Sequence, residues 1–319
     1  MKSSAPWKNL PVGTECPVCG RSVKRGHGGM RHNGQVWKCF KCLAKGPYRN
    51  GQPILRDQNE RRTSSERLPP RTQSQPLRFW TGAELRSVVR FGQSCPLFDF
   101  ASSLFSAELV SKVWRQYGVG TLPQCAATVF VCADEQGRIR DVKAMRYGAD
   151  GKRLKYSSEQ GMTVWTPPAF RALGRRPVYF GLHLLKEANR LLVLVESEKT
   201  ALFAACLALA EGRSDVLYMA TGGTAGYTAR LQESLFALRR FPPAQLLLCP
   251  DNDRAGHSAA ESAQRELRRS GIAAQLRQLT DIWPEAPDGA DLADFVLFRK
   301  TVFDCALVVS KSDDESSTL

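Results

Sequence analysis

Glu196 closes the apolar run LLVLVE, Asp251 and Asp253 follow LLLCP within DNDRAG, and Asp291 and Asp294 lie in DGADLADFV. Acids at the ends of buried strands sit where open α/β sheets place their ligands. Hard cations such as Mg²⁺ or Mn²⁺ take oxygen ligands from one or two carboxylates, and water and substrate phosphate complete the shell. Any one of these acids could instead cap a helix or begin a turn. Together they suit metal-assisted transfer at phosphate. The candidate ligands are Asp251, Asp253 and Asp291, with Glu196 a further ligand or an acid/base group. Lys199 follows Glu196 closely enough to reach a phosphate, although an exposed helical Lys is the commoner explanation. In ATGGTAG, Gly222 and Gly223 either leave backbone amides open to phosphate ahead of a helix or only permit a tight turn.

A second constellation is Cys16-x2-Cys19, nineteen residues, then Cys39-x2-Cys42. Each close pair turns two thiolates toward one ion, and two pairs complete a tetrahedron, the arrangement of a structural Zn²⁺ site. Basic residues surround it, Arg31 and Lys38 among them, with Trp37 and Phe40 interleaved. Charge plus aromatic faces suits a nucleic-acid single strand, though so small a head also needs aromatics for its own core. The other six cysteines are scattered among apolar neighbours and read as core residues.

The acids need strands and helices to hold them. Leu191–Val195 reads as a buried strand, Ser197–Glu211 as a helix and Val216–Ala220 as a strand. Ala225–Leu238 reads as a helix, Leu246–Cys249 as a strand, Ser258–Ser270 as a helix and Ala273–Leu279 as a further strand. Strands alternating with helices indicate an α/β unit with a mainly parallel sheet. Upstream, Thr128–Ala133 and Arg138–Tyr147 read as a strand pair across a turn at Asp134–Gly137. Composition divides the chain into a cysteine-bearing head over 1–50, a polar linker over 51–76, a folded part over 77–309 and an acidic tail over 310–319.

The net charge of +14 is concentrated at one end. Residues 1–90 hold 18 Lys and Arg against 5 Asp and Glu, whereas the remaining 229 hold 27 against 26. That imbalance favours phosphate contacts, hence nucleic acid, at the N-terminal end. No apolar run approaches a membrane span and the first residues lack a signal-peptide core, so a cytoplasmic protein without membrane attachment is expected.

At these acids the chain resembles the toprim domain of bacterial primases, topoisomerases and some nucleases, in which a strand ending in Glu precedes one ending in Asp-x-Asp. DNDRAGHSAA resembles the bacterial DnaG-type primase version. The stretch from FVCADEQGRIRDVKAMRYG through LKYSSEQGMTVW and VYFGLHLL to LLVLVESEKTAL is similar to that family's catalytic core. The resemblance implies an α/β toprim fold with flanking helices over 188–309, an α+β primase-like subdomain over 77–187 before it and a small zinc ribbon at the N-terminus. It implies a Mg²⁺- or Mn²⁺-dependent primase making short RNA on single-stranded DNA from nucleoside triphosphates. Arg146, Lys155 and Tyr156 then become nucleotide or template contacts. A replicative helicase, or a phage or plasmid replication protein, is the protein partner such an enzyme would have. The toprim nuclease and the non-catalytic, zinc-bearing DNA-binding module are the alternatives. Ser197 stands where the family usually has Gly, Thr200 where it often has an acid, and four cysteines where its zinc site commonly includes a histidine. VESEKTAL and ATGGTAG look closer to toprim proteins of mobile elements and phages.

Overall fold

The computed structural model describes residues 8–15, 30–32, 36–39, 45–49, 52–53, 79–154, 164–167, 170, 176–186 and 189–300. The chain divides into two units, Met1–Thr72 and Gln73–Leu319.

In the first unit, β1 (Lys8–Asn9), β2 (Met30–His32), β3 (Val36–Cys39), β4 (Lys45–Arg49) and β5 (Gln52–Pro53) form one antiparallel sheet in chain order. Two residues of the stretch read as linker thus extend this sheet, with Tyr48 opposite Pro53. Trp37 is 0% exposed and Leu10 2%. The indole is therefore core, and its faces are not open to a base. Cys39, also buried, ends β3 opposite Met30. Cys16, Cys19 and Cys42 lie outside the described residues.

The second unit is a mixed α/β fold with one antiparallel and one parallel sheet. Its first part opens with α1 (Gly82–Val88), α2 (Pro96–Leu104) and α3 (Ala107–Tyr117). Local chemistry sets these helices. Thr81 and Glu84 form a reciprocal capping box on α1, Pro96 begins α2, and Ser106 caps α3, which stops at Gly118 with φ 66°. The antiparallel sheet follows, in the order β6 (Val119–Leu122), β7 (Ala127–Ala133), β8 (Ile139–Met145) and β9 (Val164–Trp165). Every residue of β7 is buried because both of its faces are covered. Phe130 and Cys132 enter the large core shared with the parallel sheet, whereas Val129 and Val131 enter a smaller one with Leu85, Val89 and Phe170.

The parallel sheet has the order β11 (Val216–Ala220), β10 (Leu191–Val195), β12 (Gln245–Leu248), β13 (Gln275–Leu276). Helices α4 (Glu198–Ala210), α5 (Gly226–Ala229), α6 (Leu231–Arg240) and α7 (Arg254–Arg269) intervene, and a last helix covers residues 292–300. The central β10 carries only Leu and Val, as a strand covered on both faces should. Helix α4 is apolar nearly all round and correspondingly buried. The single helix expected over Ala225–Leu238 is broken at Arg230. That guanidinium turns inward to the Val178 carbonyl at 3.2 Å and to Asp141 at 3.9 Å. The last strand is shorter than Ala273–Leu279, because pairing with β12 lasts only two residues and Leu279 already begins a 3₁₀ turn. Among the described residues, no helix is long and apolar enough to cross a membrane.

Candidate active site

Glu196 directly follows β10, and Asp251 lies three residues beyond β12. Those two strands pair in parallel, and the Cys249 amide carries the pairing past them by donating to the Leu194 carbonyl. Both acids therefore emerge at the same C-terminal sheet end. Glu196 is only 4% exposed. Its Oε2 accepts the Thr224 hydroxyl at 2.7 Å, while Oε1 is buried with no hydrogen-bond partner. Burial raises the Glu196 pKa, the Thr224 bond and the facing Asp251 amide pull it down, and Asp253 and Asp291 push it up again. Asp251, half-buried, is pushed up to about 8, first by burial and then by Glu196, Asp291, Asp253 and Asp294. Asp251 is thus within electrostatic reach of the other four acids, and Glu196 of Asp253 and Asp291 as well.

Asp253 is the N-cap of α7 and accepts the Gly256 amide at 2.7 Å. The glycine that follows it is sterically required. A Cβ at position 256 would stand 2.4 Å from Glu196 Oε1 and 2.9 Å from the Asp251 carbonyl oxygen. The first turn of α7 thus packs directly on the two central acids.

Asn252, between the two aspartates, was not singled out in the sequence, yet it carries the third acidic segment. Its side-chain amide donates to the carbonyls of Ala286 (3.0 Å) and Pro287 (2.9 Å). Its backbone also exchanges bonds with the Ala290 carbonyl and the Gly289 amide, each at 2.7 Å. This clip ties the loop that leads into Asp291 to the end of β12. Asp291 and Asp294 then cap the helix over 292–300 reciprocally: each backbone amide donates to the other's carboxylate at 3.0 Å. Asn between two acids reads in sequence as a turn former, and nothing in its neighbours names the distant loop it holds.

Other candidates behave differently. The Gly223 amide donates to the Glu196 carbonyl at 2.8 Å, so it is committed within the protein and not open to phosphate. With φ of 80° and 126°, Gly222 and Gly223 serve the turn between β11 and α5. Lys199 is partly buried and lies over the Phe203 ring of its own helix, 5.9 Å from the centroid. Arg146 follows β8, partly buried, and its carbonyl accepts the Leu154 amide. Lys38 is half-buried on β3. Lys155, Tyr156 and the Arg31 side chain lie outside the described residues. Sequence reading also missed a buried ion pair. Lys143 on β8 donates to Glu198 at 2.6 Å and to the Gly222 carbonyl at 3.3 Å, fastening the antiparallel sheet to the base of the acidic site.

The donor set fits a hard divalent cation. The oxygens it offers are carboxylate oxygens, among them the buried Glu196 Oε1, and the pKa values of Glu196 and Asp251 are raised first by burial and then by the neighbouring acids. Among the described residues, no three His, Cys, Asp or Glu side chains stand as a ready-made cage. An ion here would complete its shell with water and substrate oxygen, as Mg²⁺ usually does.

Residues 96–251 match a family described as a domain of unknown function, DUF6371. Among solved structures, the chain is similar to the zinc-binding and RNA polymerase domains of the Aquifex aeolicus primase. Identity is 16%, covering 93% of this chain and 78% of that one, at a TM-score of 0.42. It is also similar to a DNA primase domain from Pseudomonas aeruginosa, with 21% identity over 53% of this chain and a TM-score of 0.37. It spans 46% of that domain's length. The RNA polymerase domain of the Mycobacterium tuberculosis primase gives 17% identity, 68% coverage of each chain and a TM-score of 0.38. No curated protein matches.

Proposed function

We propose that this chain is a primase-like nucleotidyltransferase of toprim type, synthesising short RNA primers on single-stranded DNA. The observation that carries the reading is the packing of Glu196 against Asp251 at a shared strand end, two acids with raised pKa and, among the described residues, no cationic side chain paired with them. The wording of DNDRAG and the order of segments upstream of it choose polymerisation over other phosphate chemistry.

Asp251, Asp253 and Asp291 are the residues that would hold Mg²⁺ or Mn²⁺. The ion supplies charge neutralisation and orientation at the transferring phosphate. Glu196 supplies a carboxylate whose proton affinity is lifted by burial, suiting it to take a proton from an attacking hydroxyl. Thr224 holds that carboxylate in place. Asp253 doubles as the cap that fixes the first turn of α7. Arg146, Lys155, Tyr156 and Lys199 are the candidates for nucleotide and template contacts. The basic head, organised by Zn²⁺ on Cys16, Cys19, Cys39 and Cys42, tethers template through Arg31 and Lys38.

The test is incubation of the full chain with labelled nucleoside triphosphates, single-stranded DNA and Mg²⁺ or Mn²⁺. Template-dependent oligoribonucleotides are expected. Shortened DNA would replace this reading with a nuclease, and binding without either product would leave a DNA-binding module.

A further inference from the structure

Two hydroxyls stand behind Asp291, and their protons can be assigned. Thr200, 1% exposed, donates from Oγ1 to Asp291 Oδ2 at 2.8 Å. Its Oγ1 also lies 2.7 Å from Ser197 Oγ, and its amide donates to Ser197 Oγ at 3.1 Å. A hydroxyl has one proton to give, and an ionised carboxylate can only accept. The Thr200 proton is therefore spent on Asp291, and the proton between the two hydroxyls belongs to Ser197. The result is a one-way chain from the Thr200 amide to Ser197, to Thr200 Oγ1, to Asp291, in which each donor polarises the next. On the other side, Asp291 Oδ1 accepts the Asp294 amide at 3.0 Å. Each carboxylate oxygen is thus held by one donor, and each has a second lone-pair site beyond that bond.

Taking the strand-end acids as a divalent-cation site, we propose that Thr200 is a positioning residue for that cation. Backed by Ser197, it fixes the orientation of Asp291 without adding another negative charge to a crowded cluster. A carboxylate at position 200 would add that charge beside Asp291. A purely apolar residue would leave Asp291 Oδ2 without its buried donor.

The experiment is calorimetric titration of Mn²⁺ into the zinc-replete full chain, comparing wild type, Thr200→Val and Thr200→Ser, with melting temperatures measured without added metal. Val keeps the shape and loses the donor, so Mn²⁺ affinity should fall ten- to a hundredfold, the usual cost of removing a group that orients a ligand. Ser keeps the donor and should bind nearly as wild type. Ser197→Ala, on the surface-facing end of the chain of donors, should weaken binding in the same direction by less, and it tests the idea should the Val variant not fold. Equal affinity in wild type and Thr200→Val overturns the proposal, as does an equal loss in the Ser and Val variants. Absence of Mn²⁺ binding by the wild type overturns the reading of the acids as a cation site, and this inference with it.

Discussion

Two sets of acids lie within the second unit and follow opposite rules. Along and beside the antiparallel sheet, among the described residues, three buried acids each meet a cation. Asp134 bonds Arg138 and Arg140, Asp141 faces Arg230, and Glu198 bonds Lys143. At the end of the parallel sheet, Glu196, Asp251, Asp253 and Asp291 face one another instead. Burying charge is costly unless it is compensated, and proteins ordinarily compensate it internally. A cluster that is not compensated from within therefore points to a ligand that supplies the missing charge. The paired set is structural and fastens two sheets together. On the function proposed above, the unpaired set is the one that performs the chemistry.

The largest expected effect tests the paired set. Lys143→Met removes the cation from Glu198, which is 0% exposed, and leaves a buried charge alone. Stability should fall by about 3 kcal/mol or more, a drop in melting temperature on the order of 10 °C for a chain of this size. A melt within about 2 °C of wild type would show that the pair contributes little and would erase the contrast between the two regions.

A smaller effect should come from pH. The Asp251 carboxyl is raised from near 3.8 to about 8 in the folded chain. It binds its proton more tightly folded than unfolded, so its stabilising contribution is complete below the lower value and is lost as pH climbs through the upper one. The melting temperature of wild type relative to Asp251→Asn should therefore decline between about pH 4 and pH 8 in the absence of divalent metal. Saturating Mg²⁺ should flatten that decline, because the bound ion offsets the charge. A wild-type-minus-variant difference that does not change with pH would place Asp251 in an ordinary, solvated setting.

Much of this was legible in the sequence. The runs LLVLV and VLYMA are the observed strands to the residue, since a strand covered on both faces must be apolar throughout. Glu196 and Asp251 could be singled out because each sits just past an apolar strand. What escaped was whatever depends on contacts distant along the chain. Asn252 holds a loop 34 residues away, and Lys143 meets Glu198 across 55. Helices α1 to α3 escaped as well, although Thr81, Ser106 and Gly118 mark three of their ends, because the apolar positions there were not resolved into separate helical faces. Trp37 was ambiguous in sequence, since stacking platforms and small cores both need aromatics, and its burial decides for the core.

The central claim is that the unpaired acids perform chemistry rather than hold the fold. It is tested most directly by measuring turnover per folded molecule for wild type and Asp251→Asn, with melting temperature recorded on the same preparations. Asn keeps the size and one acceptor oxygen but loses the charge that holds a divalent cation. Template-dependent product formation should fall by roughly a thousandfold or more, several kcal/mol of lost transition-state stabilisation. The melting temperature should hold or rise as repulsion among the carboxylates is relieved. A variant that melts lower yet turns over like wild type would contradict the account and make Asp251 a structural acid.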